Sequence, residues 1–459
     1  MKKVLLIALG LAVVVAAAAI YYTRSPGAKP AAAQKLTIHF TCDTSGRLEP
    51  CGCFTGQHGG LTRLMTWLEA RPERHDTLMV DVGGALAGVN DYDLIQYRYL
   101  ARGYQEMGFE ALNMGAAEAA IPAKTIASLS STSAVPLVSA SLVDATTRKE
   151  ILDPYRIVEK GGRRIGILGV VSPTSVTDPG EGLAVLSLDE AIGRHLPALR
   201  EKTDLIVLLA FAKEAELRRL ARDYYELALI LGGDVGGPAQ DMIRENDSIV
   251  LYTTNEARTV GTLTATLDGQ PRTRLLDPVY EITLLEESIP QHVDLQELVR
   301  EFRDEIRSTP LAVDDPDAVD PSAIPGVQPP ATYVGSATCQ SCHPKAYETW
   351  EKSGHGHAFE TLEKKGSDAD PHCIQCHTVG FGRPSGYRRP FGKEKLVDVG
   401  CESCHGPASE HVAHFRDGKK TAFKFRPVGP GDCVTCHHGE FSRPFDWDKF
   451  WPLIEHGKE

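Results

Sequence analysis

Apolar positions in this chain follow two rhythms. Solid runs of strand length occur at residues 36–42, 77–82, 111–114, 135–139, 164–171, 205–211 and 227–231. Between them, residues 61–70, 92–107, 188–202 and 214–224 carry apolar side chains at helical spacing. Strands alternating with helices predict an α/β layered domain. Three more strand-like runs, 248–253, 259–267 and 273–284, close it, and a polar helix over 293–307 leads out. The stretch 308–331 is dominated by Pro and Asp, among them Pro310, Asp314, Asp315, Pro316, Pro329 and Pro330. Such a stretch cannot bury enough apolar surface to fold alone and reads as a linker. From 332 to 459, strand-length runs are scarce and Gly and Pro are frequent, which predicts a small, mostly α or irregular second domain. The 459 residues thus divide into 1–34, 35–307, 308–331 and 332–459.

The first of these segments begins Met1-Lys2-Lys3 and continues as an apolar run over 4–20. A basic start before an apolar run is an export signal. The run is long for a signal and near the lower limit for a membrane span. A cleaved signal, with Ala31-Ala32-Ala33 as the cleavage site, and a retained inner-membrane anchor both fit. The expected location is the periplasm, with membrane contact through this segment. The formal net charge is -12. Acidic and basic side chains balance after residue 332, so the excess acid lies upstream. A chain without a basic patch is a poor nucleic-acid binder.

Eight of the 11 cysteines fall into four pentapeptides. These are Cys339-Gln340-Ser341-Cys342-His343, Cys373-Ile374-Gln375-Cys376-His377, Cys401-Glu402-Ser403-Cys404-His405 and Cys433-Val434-Thr435-Cys436-His437. Cys-x-x-Cys-His is the attachment pattern of a c-type haem. The two thiols form thioethers with the haem vinyl groups, and the histidine becomes the proximal iron ligand. Structural zinc on Cys-x-x-Cys pairs would not explain a histidine after every second cysteine. Four covalent haems are therefore expected, with His343, His377, His405 and His437 as proximal ligands. Covalent haem attachment outside the cytoplasm agrees with the export signal. The three remaining cysteines, Cys42, Cys51 and Cys53, share one loop. One disulfide with a spare thiol fits an oxidising compartment, and a thiol redox pair or soft-metal site fits as well.

From Lys35 to Glu286 the order of segments resembles the metallophosphoesterase domain of the 5′-nucleotidase family, which implies a four-layer sandwich. The family's opening Asp-x-His appears as Asp43-Thr44-Ser45, and its Asp-x-Gly-Asp as Asp81-Val82-Gly83-Gly84. Its Gly-Asn-His-Glu appears as Gly115-Ala116-Ala117-Glu118, and its Gly-His-x-His as Gly233-Asp234-Val235-Gly236. A two-metal phosphoesterase needs carboxylate, amide and imidazole ligands at those places. Only Asp43 is kept, with Asp234 as a substitute, so the resemblance implies a fold that has lost its hydrolytic site. The loop Glu49-Pro50-Cys51-Gly52-Cys53 resembles a segment of nucleotidase-like proteins, some of them selenoproteins, that pair with multihaem cytochromes.

Residues 332–459 resemble the multihaem cytochrome c554-like family. The resemblance rests on Trp350-x-x-Ser353-x-His355, on Gly400-Cys401 through Pro407 with His411, and on the last haem motif with Phe445, Trp451 and His456. It implies His355, His411 and His456 as distal iron ligands, with His357 the alternative to His355. His372 and His438 abut haem motifs and are expected to point elsewhere. One haem is left without an assigned sixth ligand. The expected function is electron transfer in a respiratory or extracellular conduit, with the first domain as an inactive docking unit. Its expected partners are periplasmic or membrane redox proteins, other multihaem cytochromes among them. Two alternatives are a haem enzyme acting on nitrogen oxides or hydroxylamine, and a 5′-nucleotidase-like hydrolase fused to a cytochrome. The intact mass of the purified protein should exceed that of the processed polypeptide by four haem groups, and these should survive denaturation. A mass fitting fewer haems, or zinc, would contradict the motif reading.

Overall fold

The structure is a computed structural model. It describes residues 34–457, except 51–56, 72–76, 255, 269, 271–272, 312–330, 390–393, 417, 419–427, 439–441 and 443. The apolar run at 4–20, Cys51, Cys53 and most of the linker lie outside the described residues. Among the described residues no helix is long and apolar enough to cross a membrane.

The first half of the sandwich comprises β1 (Gln34–Thr41), α1 (Leu61–Glu69), β2 (Leu78–Asp81), α2 (Asp91–Met107), β3 (Ala111–Asn113), α3 (Ala116–Ala120), α4 (Ala123–Thr132) and β4 (Leu137–Val138). Then come β5 (Leu142–Asp144), β6 (Tyr155–Lys160), β7 (Arg163–Val171), β8 (Leu183–Val185), α5 (Leu188–Lys202), β9 (Leu205–Phe211), α6 (Glu214–Asp223) and β10 (Leu229–Gly233). The domain ends with β11 (Ile243–Glu245), β12 (Ser248–Tyr252), β13 (Thr259–Leu267), β14 (Leu275–Leu284) and α7 (Val293–Ser308). One sheet has the order β14-β13-β1-β2-β3-β4, the other β11-β12-β10-β9-β7-β6, and β5 pairs with β8 alone. Helices α1, α2 and α7 pack together beside the first sheet, and α5 and α6 lie on the second. The result is four layers, helix, sheet, sheet, helix.

Burial explains why the apolar runs are continuous. Along β9, Leu205, Val207, Leu209 and Phe211 enter the core between the sheets, whereas Ile206, Leu208 and Ala210 pack under the outer helices. A strand covered on both faces has no polar positions to alternate with. Asn113 on β3 ties the layers together by donating to Val82 O at 2.8 Å and to Val170 O at 2.9 Å. Gly169 permits that approach, since a Cβ there would come within 2.5 Å of Asn113 Oδ1 and 2.8 Å of Val138 O.

The structure adds elements that the apolar rhythm does not predict, namely α3, α4, β5, β6, β8 and β11. Most are too short for a period to register, and β6 is an edge strand with mixed exposure. The three closing runs also divide between sheets. β12 joins the second, while β13 and β14 return to the first, where β13 pairs antiparallel with β1.

The tail contains α8 (Pro344–Glu351), α9 (Ala358–Lys365), α10 (Pro371–His377), α11 (Cys401–His405), α12 (Ser409–Arg416), α13 (Pro430–Cys433) and α14 (Trp447–Phe450). Its buried cluster is Tyr333, Leu362, Ile374, Val379, Tyr387 and Leu396. That is a small core for a domain of this length, as expected where prosthetic groups supply the rest. The tail docks on α2 and α7. Arg307 pairs with Asp368 at 3.0 Å, and the buried Arg389 donates to Ile306 O at 2.9 Å and Ala369 O at 2.6 Å.

Candidate functional site

Each Cys-x-x-Cys-His motif is wound as one helical turn. His343 N–H donates to Cys339 O at 2.9 Å and His437 N–H to Cys433 O at 2.8 Å, while motifs two and three form α10 and α11. Positions i, i+3 and i+4 share a face of such a turn, so two thiols and one imidazole converge. The motifs are contiguous. The thiol of Cys376 contacts that of Cys436, Cys404 lies within electrostatic reach of Cys433, and Cys401 contacts Cys339. The order of sites in space is therefore second, fourth, third, first.

Three proximal imidazoles each face one of the imidazoles singled out from the sequence. Ring centres are 6.1 Å apart for His343 and His411, 6.0 Å for His355 and His437, and 5.9 Å for His405 and His456. Two metal–imidazole bonds of about 2 Å each, plus half a ring on either side, require roughly 6 Å. The residues thus fit a six-coordinate metal between each pair. Local bonding sets these positions. Trp350 Nε1–H donates to Val399 O at 2.8 Å, Ser353 Oγ accepts from His355 N–H at 3.2 Å, and Val399 N–H donates to His355 O at 3.1 Å. Glu402, buried inside the third motif, accepts from the N–H groups of Val334 and Gly335 and from Ala408 N–H at 2.8 Å. Sequence reasoning missed Glu402, because nothing in a variable motif position marks it as a buried acceptor.

Burial, then neighbouring imidazoles, holds His355, His405 and His411 below the usual imidazole range. The neutral ring is the form that ligates metal. His377 differs. Its Nδ1–H donates to Ala358 O at 2.6 Å, which leaves Nε2 for a metal, but it makes no ring pair with another imidazole among the described residues. His357 is exposed beside Glu360, His414 packs on Phe415, and His372 stacks on Tyr92 of the first domain at 5.1 Å.

The other candidate site is the cleft at the strand ends of the sandwich. Asp43, Ser45 and Asp234 all have positive φ, at 54°, 47° and 56°. Non-glycine residues in this region carry strain of the kind that clusters at functional sites. Yet the carboxylates are engaged by hydroxyls. Asp43 accepts from Ser45 Oγ at 3.0 Å and Thr254 Oγ1 at 2.9 Å, and Asp234 accepts from Ser175 Oγ at 2.6 Å. Glu118 accepts from Leu86 N–H and Gly115 N–H. A Cβ at Gly84 would sit 3.0 Å from Asp43 Cα and 3.2 Å from the Phe211 ring, a tight approach at a backbone φ of 76°. Among the described residues no three His, Cys, Asp or Glu side chains are grouped to hold a metal ion. Cys42 is buried, and its thiol donates to Gly83 O at 3.3 Å. Burial pushes that thiol well above the usual cysteine range.

Comparison with known proteins follows the same division. Residues 338–406 match the model of the family Cytochrome c554 and c-prime. Cytochrome c-554 of Nitrosomonas europaea is 34% identical over 136 residues, 23% of this chain and 58% of that protein. The 5′-nucleotidase of Vibrio cholerae is 28% identical over 142 residues, 30% of this chain and 25% of that protein. A 5′-nucleotidase precursor from Thermus thermophilus has a TM-score of 0.51 at 24% identity and covers 59% of each chain. The chain therefore spans less than two thirds of either curated relative. It joins a metallophosphoesterase-fold domain to a tail of the cytochrome c554 type, a match that implies covalently bound c-type haem.

Beneath the cleft, Asp81 is fully buried and accepts from Thr41 Oγ1 at 2.6 Å, Tyr104 Oη at 2.9 Å and Gly83 N–H at 2.8 Å. Desolvation outweighs these donors and pushes its carboxyl up to about 7. The protonated form is the one the fold prefers. Its contribution is complete below about pH 4 and is lost as pH rises through about 7, a span of about 4 kcal/mol. Asp81→Asn should remove this slope. Denaturation midpoints at pH 5 and pH 8 should fall in the parent and stay level in the variant; equal slopes would show that Asp81 is ionised throughout.

Proposed function

We propose that this chain is an exported electron-transfer protein with four haem sites, and that its metallophosphoesterase-fold domain is a docking unit without hydrolytic activity. The carrying observation is the set of three facing imidazole pairs on four contiguous motifs. Bound haem would supply a one-electron iron couple at each site. Cys339, Cys342, Cys373, Cys376, Cys401, Cys404, Cys433 and Cys436 would hold it, with His343, His377, His405 and His437 as proximal ligands. His411, His355 and His456 would close the sixth positions opposite His343, His437 and His405. Imidazole on both sides leaves no place for a substrate, which suits transfer rather than turnover. Contact between successive motifs sets a route from the second site through the fourth and third to the first. The export signal and the acidic surface of the first domain support periplasmic redox proteins as partners.

One observation favours a second reading. His377 faces no imidazole among the described residues, so the second site is the place where a small nitrogen oxide or hydroxylamine would bind. Single changes His355→Ala, His411→Ala and His456→Ala should each convert about one haem from low to high spin in electron paramagnetic resonance. Spectra identical to the parent would overturn the ligand assignment. A parent that turns over nitrite, nitric oxide or hydroxylamine would replace the carrier reading with the enzyme.

For the first domain, the absence of a carboxylate at Gly84 and the hydroxyl-bonded carboxylates support loss of hydrolysis. Nucleotide hydrolysis with added manganese or zinc should stay at background. Chelator-sensitive turnover would restore the hydrolase reading.

A further inference from the structure

Among the described residues, the second haem motif is the one whose helix abuts the first domain. Helix α10 begins at Asp370, whose Oδ1 accepts the N–H of His372 at 2.9 Å and so caps the helix that carries Cys373, Cys376 and His377. The other oxygen of Asp370 accepts the phenol of Tyr92, on α2, at 3.0 Å. The Tyr92 ring is 3% exposed and stacks on His372 with an interplanar angle of 27°. The segment just before the helix is pinned as well. Arg303 reaches Ser367 while pairing with Glu49 at 2.5 Å, Arg307 holds Asp368, and Arg389 holds Ala369 O. Ser367, Asp368 and Asp370 are thus fastened to α7 or α2, and Ala369 reaches α7 through Arg389, which also donates to Ile306 O. The chain of contacts also reaches the cleft, because Gln96 packs on Gly46 and donates to Tyr92 Oη at 3.4 Å.

We infer that the first domain sets the properties of the second haem site, with Tyr92 as a positioning residue acting through Asp370 on α10. The inference rests on the haem reading above and extends it to one site of the four. Tyr92 hydrogen-bonds to the cap and lies within electrostatic reach of Cys373, so its effect enters the motif at its first turn. A phenol donating to Asp370 holds that carboxylate beside the start of the motif. A negative charge there favours ferric over ferrous iron. The other three sites are closed by imidazole pairs within the tail and do not depend on α2. This gives the metallophosphoesterase-fold domain a role that needs no metal in its cleft: it is the wall against which the odd haem site is built.

The test uses the full-length, haem-loaded protein. Redox titrations followed by electron paramagnetic resonance would compare the parent with Tyr92→Phe, Tyr92→Leu and Asp370→Asn. The second haem is assigned as the one that His377→Ala perturbs. Asp370→Asn should move the midpoint of that haem upward, and Tyr92→Leu should shift it and broaden its signal. Tyr92→Phe, which keeps the ring and loses one oxygen, should shift it less. The other three midpoints should hold. Equal movement of all four, movement of a different haem, or no movement in any variant would overturn the inference while leaving the electron-transfer reading intact. A parent without covalent haem would overturn both.

Discussion

Pairs of imidazoles held about 6 Å apart are the constraint around which the tail is organised. The tail has little apolar core of its own. Its backbone is fixed instead by short turns, side-chain caps and a buried carboxylate, and these converge on ring positions. Trp350, Ser353 and Val399 place His355, and Glu402 gathers three backbone donors around the third motif. Each of these contacts is modest alone, on the order of 1 kcal/mol for a neutral hydrogen bond. Without a metal between the rings they would face one another for no energetic reason, since neutral imidazoles gain little at that separation. A metal bound between the rings would stabilise the folded tail.

The first domain is held in the reverse way, by its own packed layers. Four layers, two six-stranded sheets and the strained Asp43, Ser45 and Asp234 backbone are all present. The surrounding sheets over-determine that backbone. Gly84, at a positive φ close to Asp43 and Phe211, supplies no side-chain ligand there. Hydroxyls from Ser45, Thr254 and Ser175 satisfy carboxylates that a cation would otherwise balance. Hydrogen bonding of this kind lets a charged cleft remain folded.

Among the described residues, the junction between the two parts uses polar contacts, ion pairs and an aromatic stack. Such an interface gives directional rather than diffuse attachment. Among the described residues it fastens the second Cys-x-x-Cys-His motif, which makes the four motifs unequal even though their pentapeptides look alike.

Much was legible in the sequence, for physical reasons that can be named. Runs such as 205–211 and 259–267 are strands because residues covered on both faces, or alternately on one, leave a pattern of period two or none. Four identical Cys-x-x-Cys-His spacings specify covalent chemistry within one helical turn, a purely local property. The missing ligands at Ser45, Gly84, Ala116 and Ala117 could also be read directly, since the absence of a donor needs no geometry. What only the tertiary structure decided is pairing at a distance. His355 meets His437, His411 meets His343, and His456 meets His405, separations of dozens of residues that no local period encodes. The same holds for the division of the closing strands between two sheets and for His372, which turns from its own motif to stack on Tyr92. A side chain's type is written in the chain, but its partner is chosen by where the packed layers bring it.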